Sequence, residues 1–236
     1  MPDPDVQLSA RGDRTRLTRA KVLAGAVSVA DAGGIAALTI RSLAQELGVK
    51  PMAVYHYVAN KDEILDGIVD TVFADIVLVA ANGDWRSQMR RRAHSARGVL
   101  RRHPWAIGLL ESRTTPGAAT LRHHDAVIAT LRAAGFSLAL TAHAYALIDS
   151  YTYGFALQEA GLPFDDGPSS VADAAEPFMQ RFDPADYPHL VEMMTDYFVQ
   201  PGYSFGNEFE FGLELIFDGL TAALAREATP GTGLQP

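Results

Sequence analysis

The amino-acid sequence predicts an all-α protein, a three-helix head followed by a longer helical body. Three observations lead there. Apolar residues recur at helical spacing along most of the 236 residues. Glycine and proline clusters interrupt that pattern at helix-length intervals. No run of alternating or β-branched residues reads as a strand, and no internal repeat is visible.

The elements follow in order. Val22, Leu23, Ala26, Val27 and Ala30 form one helix face, stopped by Gly33-Gly34. Ile64, Leu65, Ile68, Val69, Val72, Phe73 and Ile76 form a long stripe on a helix expected over 61–80. Trp85, Met89, Ala93, Ala96, Val99 and Leu100 form another, ending before Pro104. Further helices fit 104–112, 117–134, 137–160, 185–199 and 206–226, separated by Thr115-Pro116-Gly117, Gly135, Gly161-Leu162-Pro163 and Pro201-Gly202. The stretch 163–184 reads as a loop with one short helix near 171–181. The expected domains are a flexible arm at 1–16, a head at 17–61, a body at 62–226 and a disordered tail at 227–236.

Composition narrows the function. Hydrophobic residues make up 48% of the chain, enough for a sizeable core. The sequence contains no cysteine, so disulfides and thiolate metal sites are excluded. The polar start lacks the apolar segment of a secretory signal, and no run approaches about 20 apolar residues, so a cytoplasmic protein with no membrane partner is expected. The net charge is −8 but uneven. Through Lys61, eight Lys/Arg face five Asp/Glu, giving +3 and leaving −11 for the remainder. A basic head on an acidic body suits an anionic partner for the head alone.

Residues 38–65, LTIRSLAQELGVKPMAVYHYVANKDEIL, explain that basic head. Thr39 can cap a helix running from Ile40 to Leu47. Gly48 sits where the chain must reverse, and Pro51 suits the first position of a new helix. Ala44 is small where two helices cross, and Leu43, Leu47, Val49 and Val54 supply the seam. Spacing alone admits an ordinary helical hairpin or a helix-turn-helix, whose second helix enters the DNA major groove.

Residues 18–65 resemble the DNA-binding head of the tetracycline-repressor (TetR) family, through the Ala32-Gly33 helix end, LTIRSLAQELGV, a Tyr-centred recognition helix and the Asn60-Lys61 step. DWRSQMRRRAHSARGVLRRHPWAIGLLES, LRAAGF and YALIDSYTYGFALQEA also resemble that family's C-terminal domain. The resemblance implies a homodimeric transcriptional repressor that binds double-stranded operator DNA and lets go when a small-molecule effector binds. An enzyme with a vestigial head and a transcriptional activator are the alternatives. Neither a cofactor nor catalysis is expected, since no nucleophile–base constellation stands out.

The resemblance also assigns residues. Thr39 and Lys61 match phosphate contacts and Arg41 a base-reading position. Tyr55 and Tyr57 match rings that pack a seven-residue recognition helix and reach phosphates, while His56 faces the groove. Lys50, Pro51, Met52 and Ala53 belong to the same surface. Where the tetracycline repressor opens this helix with Gln-Pro, this sequence has Pro51-Met52, which offers apolar contact, suited to thymine methyls. Val77 stands where that repressor has a drug-contacting histidine, so tetracycline is not the expected effector.

In the body, an effector pocket is expected from Trp105, Leu109, His124, Ile128, Tyr145, Asp149, Met193, Met194 and Tyr197. Tyr145 and Asp149 are four apart and share a helix face. Asp149, within an apolar run, either bonds Tyr145, Tyr153 or a neighbouring helix, or orients a mainly apolar ligand carrying a donor or positive group. The dimer seam is expected from Leu147, Tyr151 and Gly154 on one helix and Phe209, Gly212, Ile216, Gly219, Leu220 and Ala223 on another, burying more than about 1,200 Å². Arg86, Arg90, Arg91, Arg92, Arg97, Arg101 and Arg102 read as a solvated helix face. Adjacent His123 and His124 point to different faces and cannot chelate one metal together.

Overall fold

A computed structural model describes residues 16–110, 112–113, 115–162 and 168–228. Among these residues all regular structure is helical. They form two compact units, one ending at Ile68 and one starting at Val69. The expected N-terminal arm, apart from Arg16, lies outside the described residues, as does the tail beyond Ala228. Glu227 and Ala228, placed in the tail from sequence, instead complete the last helix. The Glu227 carboxylate accepts bonds from Ser137 N–H (3.2 Å) and Oγ (2.7 Å), which ties that turn down.

The first unit holds α1 (Arg19–Ala37), α2 (Ile40–Glu46), α3 (Pro51–Val54) and the start of α4 (Lys61–Asp75). Gly34 breaks α1 at φ 72°, a left-handed angle that glycine adopts without strain, and one further turn follows. By length and mean hydropathy α1 qualifies as a membrane-crossing segment, which sequence inspection did not anticipate. Its Val22, Leu23, Ala26 and Ala30 are instead buried in the unit's core, with Leu43, Ala44 and Val54. Gly48, at φ 64°, makes the reversal between α2 and α3. The recognition helix is shorter than the expected seven residues. Its last turn tightens to i→i−3 bonds, from His56 N–H to Ala53 O (3.4 Å) and Tyr57 N–H to Val54 O (3.0 Å).

α4 stops at Asp75, five residues short of the expected end. Ile76 turns inward, and Val77 N–H leaves the helix ladder to bond Ser95 Oγ at 2.9 Å. The second unit continues with α5 (Trp85–Arg102), α6 (Ile107–Leu110), α7 (Ala118–Ala133), α8 (Leu138–Ala160), α9 (Pro168–Met179), α10 (Pro188–Met193) and α11 (Phe205–Ala228). The helix expected over 185–199 is divided. Pro184 opens a 3-10 turn, Pro188 opens α10, and Met194–Phe198 form a π turn. Trp85 meets Phe136 and Phe217 edge-on at 5.0 and 5.6 Å, in a core shared by α5, α7, α8 and α11.

The arginine run on α5 is not simply a solvated face. Arg86 pairs with Glu214 and Asp218, both at 2.8 Å, and Arg90 with Glu210 and Glu214. Arg97 pairs with half-buried Glu159 at 2.7 Å and lies 4.9 Å from the Phe209 ring centroid. Arg92 is fully buried, because position 92 falls on the apolar stripe between Met89 and Ala96. Its two terminal nitrogens grip the two oxygens of Asp149 on α8, one bond measuring 3.2 Å. The Tyr153 hydroxyl donates to the same carboxylate at 3.2 Å. Burial lowers the Arg92 pKa more than any other single influence, but the Asp149 charge and hydrogen bond, together with Tyr153 and Tyr145, outweigh it and raise the pKa above its ordinary value, so the guanidinium stays charged. Burial, then the Asp149 charge, pushes the Tyr153 phenol well up, so it stays a donor.

Breaking such a pair strands a charge in the core, whereas replacing both partners with apolar groups does not. Arg92→Met is therefore expected to cost about 3–5 kcal/mol. Arg92→Met with Asp149→Leu should recover most of that loss. Urea unfolding followed by fluorescence of the two tryptophans measures both.

Candidate nucleic-acid interface and effector site

In the first unit, Thr39 is the N-cap of α2. Its Oγ1 accepts Ser42 N–H at 3.0 Å, and Ser42 Oγ accepts Thr39 N–H at 2.9 Å. The cap fixes the direction of α2 and leaves Thr39 and Arg41 exposed. Val54 and Val58 are buried and anchor the short α3 from below. Of the rings expected to pack this helix, Tyr57 is half-buried while Tyr55 is exposed, and His56, expected to face outward, is exposed. Lys50, Pro51 and Met52 are exposed and Ala53 half-buried. At the start of α4, Asn60 Oδ1 accepts Glu63 N–H at 2.8 Å, and Glu63 accepts Ala59 N–H at 2.7 Å and pairs with Arg19 at 3.2 Å. The Ala59 bond, with Arg19 behind it, holds the Glu63 carboxyl below its usual range. This locked turn presents Lys61 to solvent. One compact unit thus exposes Thr39, Arg41, Lys50, Tyr55, His56 and Lys61, a set of donors suited to phosphates and base edges.

In the second unit, an aromatic cluster forms around α7 and α8. The His124 ring lies 5.9 Å from Phe73 and 5.6 Å from Tyr145, and His123 lies 6.1 Å from Phe73. Burial, then the Arg92 charge, lowers the His123 pKa, so its ring is neutral near pH 7. Trp105 and Leu109 are half-buried against the core formed by Phe73 and its neighbours, with Tyr153. His124, Tyr145, Trp105 and Leu109 are thus supported on a ring-rich wall beside the Arg92–Asp149 pair.

Other expected effector residues are not brought there. Ile128 is exposed, pointing off α7. Met193 and Tyr197 line an open groove with His189, Glu192 and Asp196, and Tyr197 donates to Glu208 at 2.9 Å. Met194 lines a separate apolar cavity of about 250 Å³ with Val171, Ala174, Ala175, Phe178, Phe198 and Tyr203. The divided 185–199 segment causes this separation. Asp149 is buried and already neutralised by Arg92, so the expectation that it greets a positive ligand group is withdrawn. Sequence reading missed Arg92, although its place on the α5 stripe was visible.

The expected dimer seam also needs correction. Phe209 and Leu220 are buried in the chain's own core, and Tyr151, Ile216 and Ala223 pack against it. Gly212 serves the same chain: a Cβ there would collide with the Tyr151 hydroxyl, which donates to the carbonyls of Glu208 and Phe209. The outward face of α11 is instead Phe211 and Leu215, 66% and 58% exposed, followed by exposed Gly219. On α8, Leu147 is 51% exposed and Gly154 half-buried on the same stripe as exposed Leu157.

Comparison with known proteins gives this geometry a context. Residues 22–68 match the family model "Bacterial regulatory proteins, tetR family", and residues 80–224 match "Tetracyclin repressor-like, C-terminal domain". The HTH-type transcriptional repressor DrrR1 of Streptomyces coeruleorubidus is 30% identical over 224 residues, covering 92% of this chain and 82% of its own. Among solved structures, Streptomyces coelicolor ActR in complex with actinorhodin superposes with a TM-score of 0.71 at 25% identity, covering 89% of this chain and 97% of its own. BioQ with its double-stranded DNA operator gives a TM-score of 0.59 at 25% identity, covering 88% and 99%. With a helix-turn-helix head, an all-helical body and both matched to their models, the chain belongs to the TetR family of bacterial transcriptional regulators.

Proposed function

We propose that this regulator is a ligand-responsive repressor that binds a near-palindromic operator as a homodimer. The observation that carries the reading is the exposed donor set around α2, α3 and the start of α4, held by buried Leu43, Val54 and Val58. Arg41 offers a guanidinium fork for guanine O6 and N7. Thr39, Tyr55, Tyr57 and Lys61 contact phosphates, and Lys50 and His56 border the groove-facing turn. BioQ, a relative solved on its operator, supports the assignment.

The homodimer uses the outward stripes of α8 and α11. Leu147, Gly154 and Leu157 on one, and Phe211, Leu215 and Gly219 on the other, form apolar rows a monomer would leave in water. A second copy packs the same rows in a four-helix arrangement, and glycines at 154 and 219 let the helices approach closely.

The effector is a flat, mainly apolar molecule bearing rings. Half-buried His124 and Tyr145 supply aromatic faces above buried Phe73, and Trp105 and Leu109 extend the wall. The relative ActR, solved with actinorhodin, supports a small-molecule effector. Phe73 lies on α4, the helix whose first residues carry Lys61. A ligand seated on His124 therefore bears, through that ring, on Phe73 and the helix through which the chain passes from head to body.

Arg41→Ala should weaken operator binding by about 1–3 kcal/mol per half-site and relax preference at one base position in each half-site. Lys61→Ala, present in both copies of the dimer, should weaken all duplexes alike and lower the slope of affinity against salt by about two. Gel-shift titrations on duplexes selected from a random library measure both. Phe211→Glu should convert a dimer into a monomer in sedimentation equilibrium at micromolar concentration. A wild-type chain that sediments as a monomer there contradicts the homodimer.

A further inference from the structure

We infer that Met52 reads the C5-methyl group of a thymine in each operator half-site. The inference rests on the operator-binding reading and specifies one contact within it. Met52 is the second residue of α3 and is 72% exposed, among the most exposed large apolar side chains described. The first turn of a recognition helix is the part that approaches base edges. In this turn, Pro51, Met52 and Ala53 have no side chain able to donate or accept a conventional hydrogen bond. Base reading there is restricted to apolar contact. On the major-groove edge of natural unmodified DNA, the C5-methyl of thymine is the apolar group available, since cytosine carries hydrogen at that carbon. The unbranched thioether of Met52 has the reach and flexibility to cover it. Arg41, Lys50 and His56, exposed around this turn, supply the polar readout beside it.

The same chemistry would accept 5-methylcytosine, so the test separates the methyl group from the rest of the base. The full chain selects duplexes from a random library, and each thymine of the selected site is replaced singly by deoxyuridine, which removes only the methyl. One thymine per half-site should then lose about fourfold in affinity, the worth of roughly one buried methyl-sized group. At that position 5-methylcytosine, paired with guanine, should bind better than cytosine. In Met52→Ala the deoxyuridine penalty should vanish, and in Met52→Leu it should persist. Met52 is exposed, so these variants keep the fold, and far-ultraviolet circular dichroism verifies it. The inference is overturned if no thymine responds to deoxyuridine, if 5-methylcytosine and cytosine bind equally, or if Met52→Ala keeps the full penalty. A chain that selects no duplex overturns the operator reading itself, and the methyl contact falls with it.

Discussion

The body is organised around a charge that cannot be left alone. Asp149 sits inside an apolar helix, and Arg92 reaches it from α5 with a two-pronged grip that also engages Tyr153. In that low-polarity setting an unpaired carboxylate or guanidinium would be very costly, so each fixes the place of the other. The consequence is a defined register between α5 and α8. Around it, burial with the Arg92 charge keeps His123 neutral, and burial with the Asp149 charge keeps Tyr153 protonated.

The first unit solves a different problem. Its helices bury little surface, and three of their N-termini are closed by specific bonds: Thr18 and Thr39 cap α1 and α2, and Asn60 with Glu63 closes the start of α4, while α3 opens on Pro51 without a side-chain cap. Buried Leu43, Ala44, Val54 and Val58 hold α2 and α3 together from beneath. Arg41, Lys50, His56 and Lys61 then stand exposed around that turn.

Much of this was legible in the sequence, and the failures have physical causes. The helix-turn-helix could be read because caps, glycine reversal and proline start are local signals. The helices at 85–102, 118–133 and 138–160 followed from their apolar spacing. The phase of α11 did not. In FEFGLELIFDGL both Phe209 and Phe211 begin plausible stripes, and periodicity cannot say which one faces inward. The structure buries Phe209, Leu213, Phe217 and Leu220 and exposes Phe211 and Leu215. Arg92 was hidden by its neighbours: a run of arginines reads as surface, although Met89, Arg92, Ala93 and Ala96 share one face. The segment 185–199 misled because its apolar residues are spaced like one helix, while Pro184 and Pro188 divide it and turn Met193 and Met194 toward different surroundings.

The central claim is that the ring-lined wall of the body and the donors of the head belong to one coupled device. A ligand can shift DNA binding only through its differential affinity for two states, and the coupling must be reciprocal. The direct measurement is fluorescence anisotropy of a labelled, selected operator duplex with the full chain, repeated with the ring-bearing compound that most raises the chain's melting temperature. Repressor behaviour predicts about a hundredfold loss of operator affinity, roughly 2.7 kcal/mol, and the same factor when the duplex is present and the compound is titrated. Equal operator affinities with and without a compound bound to the body would contradict it.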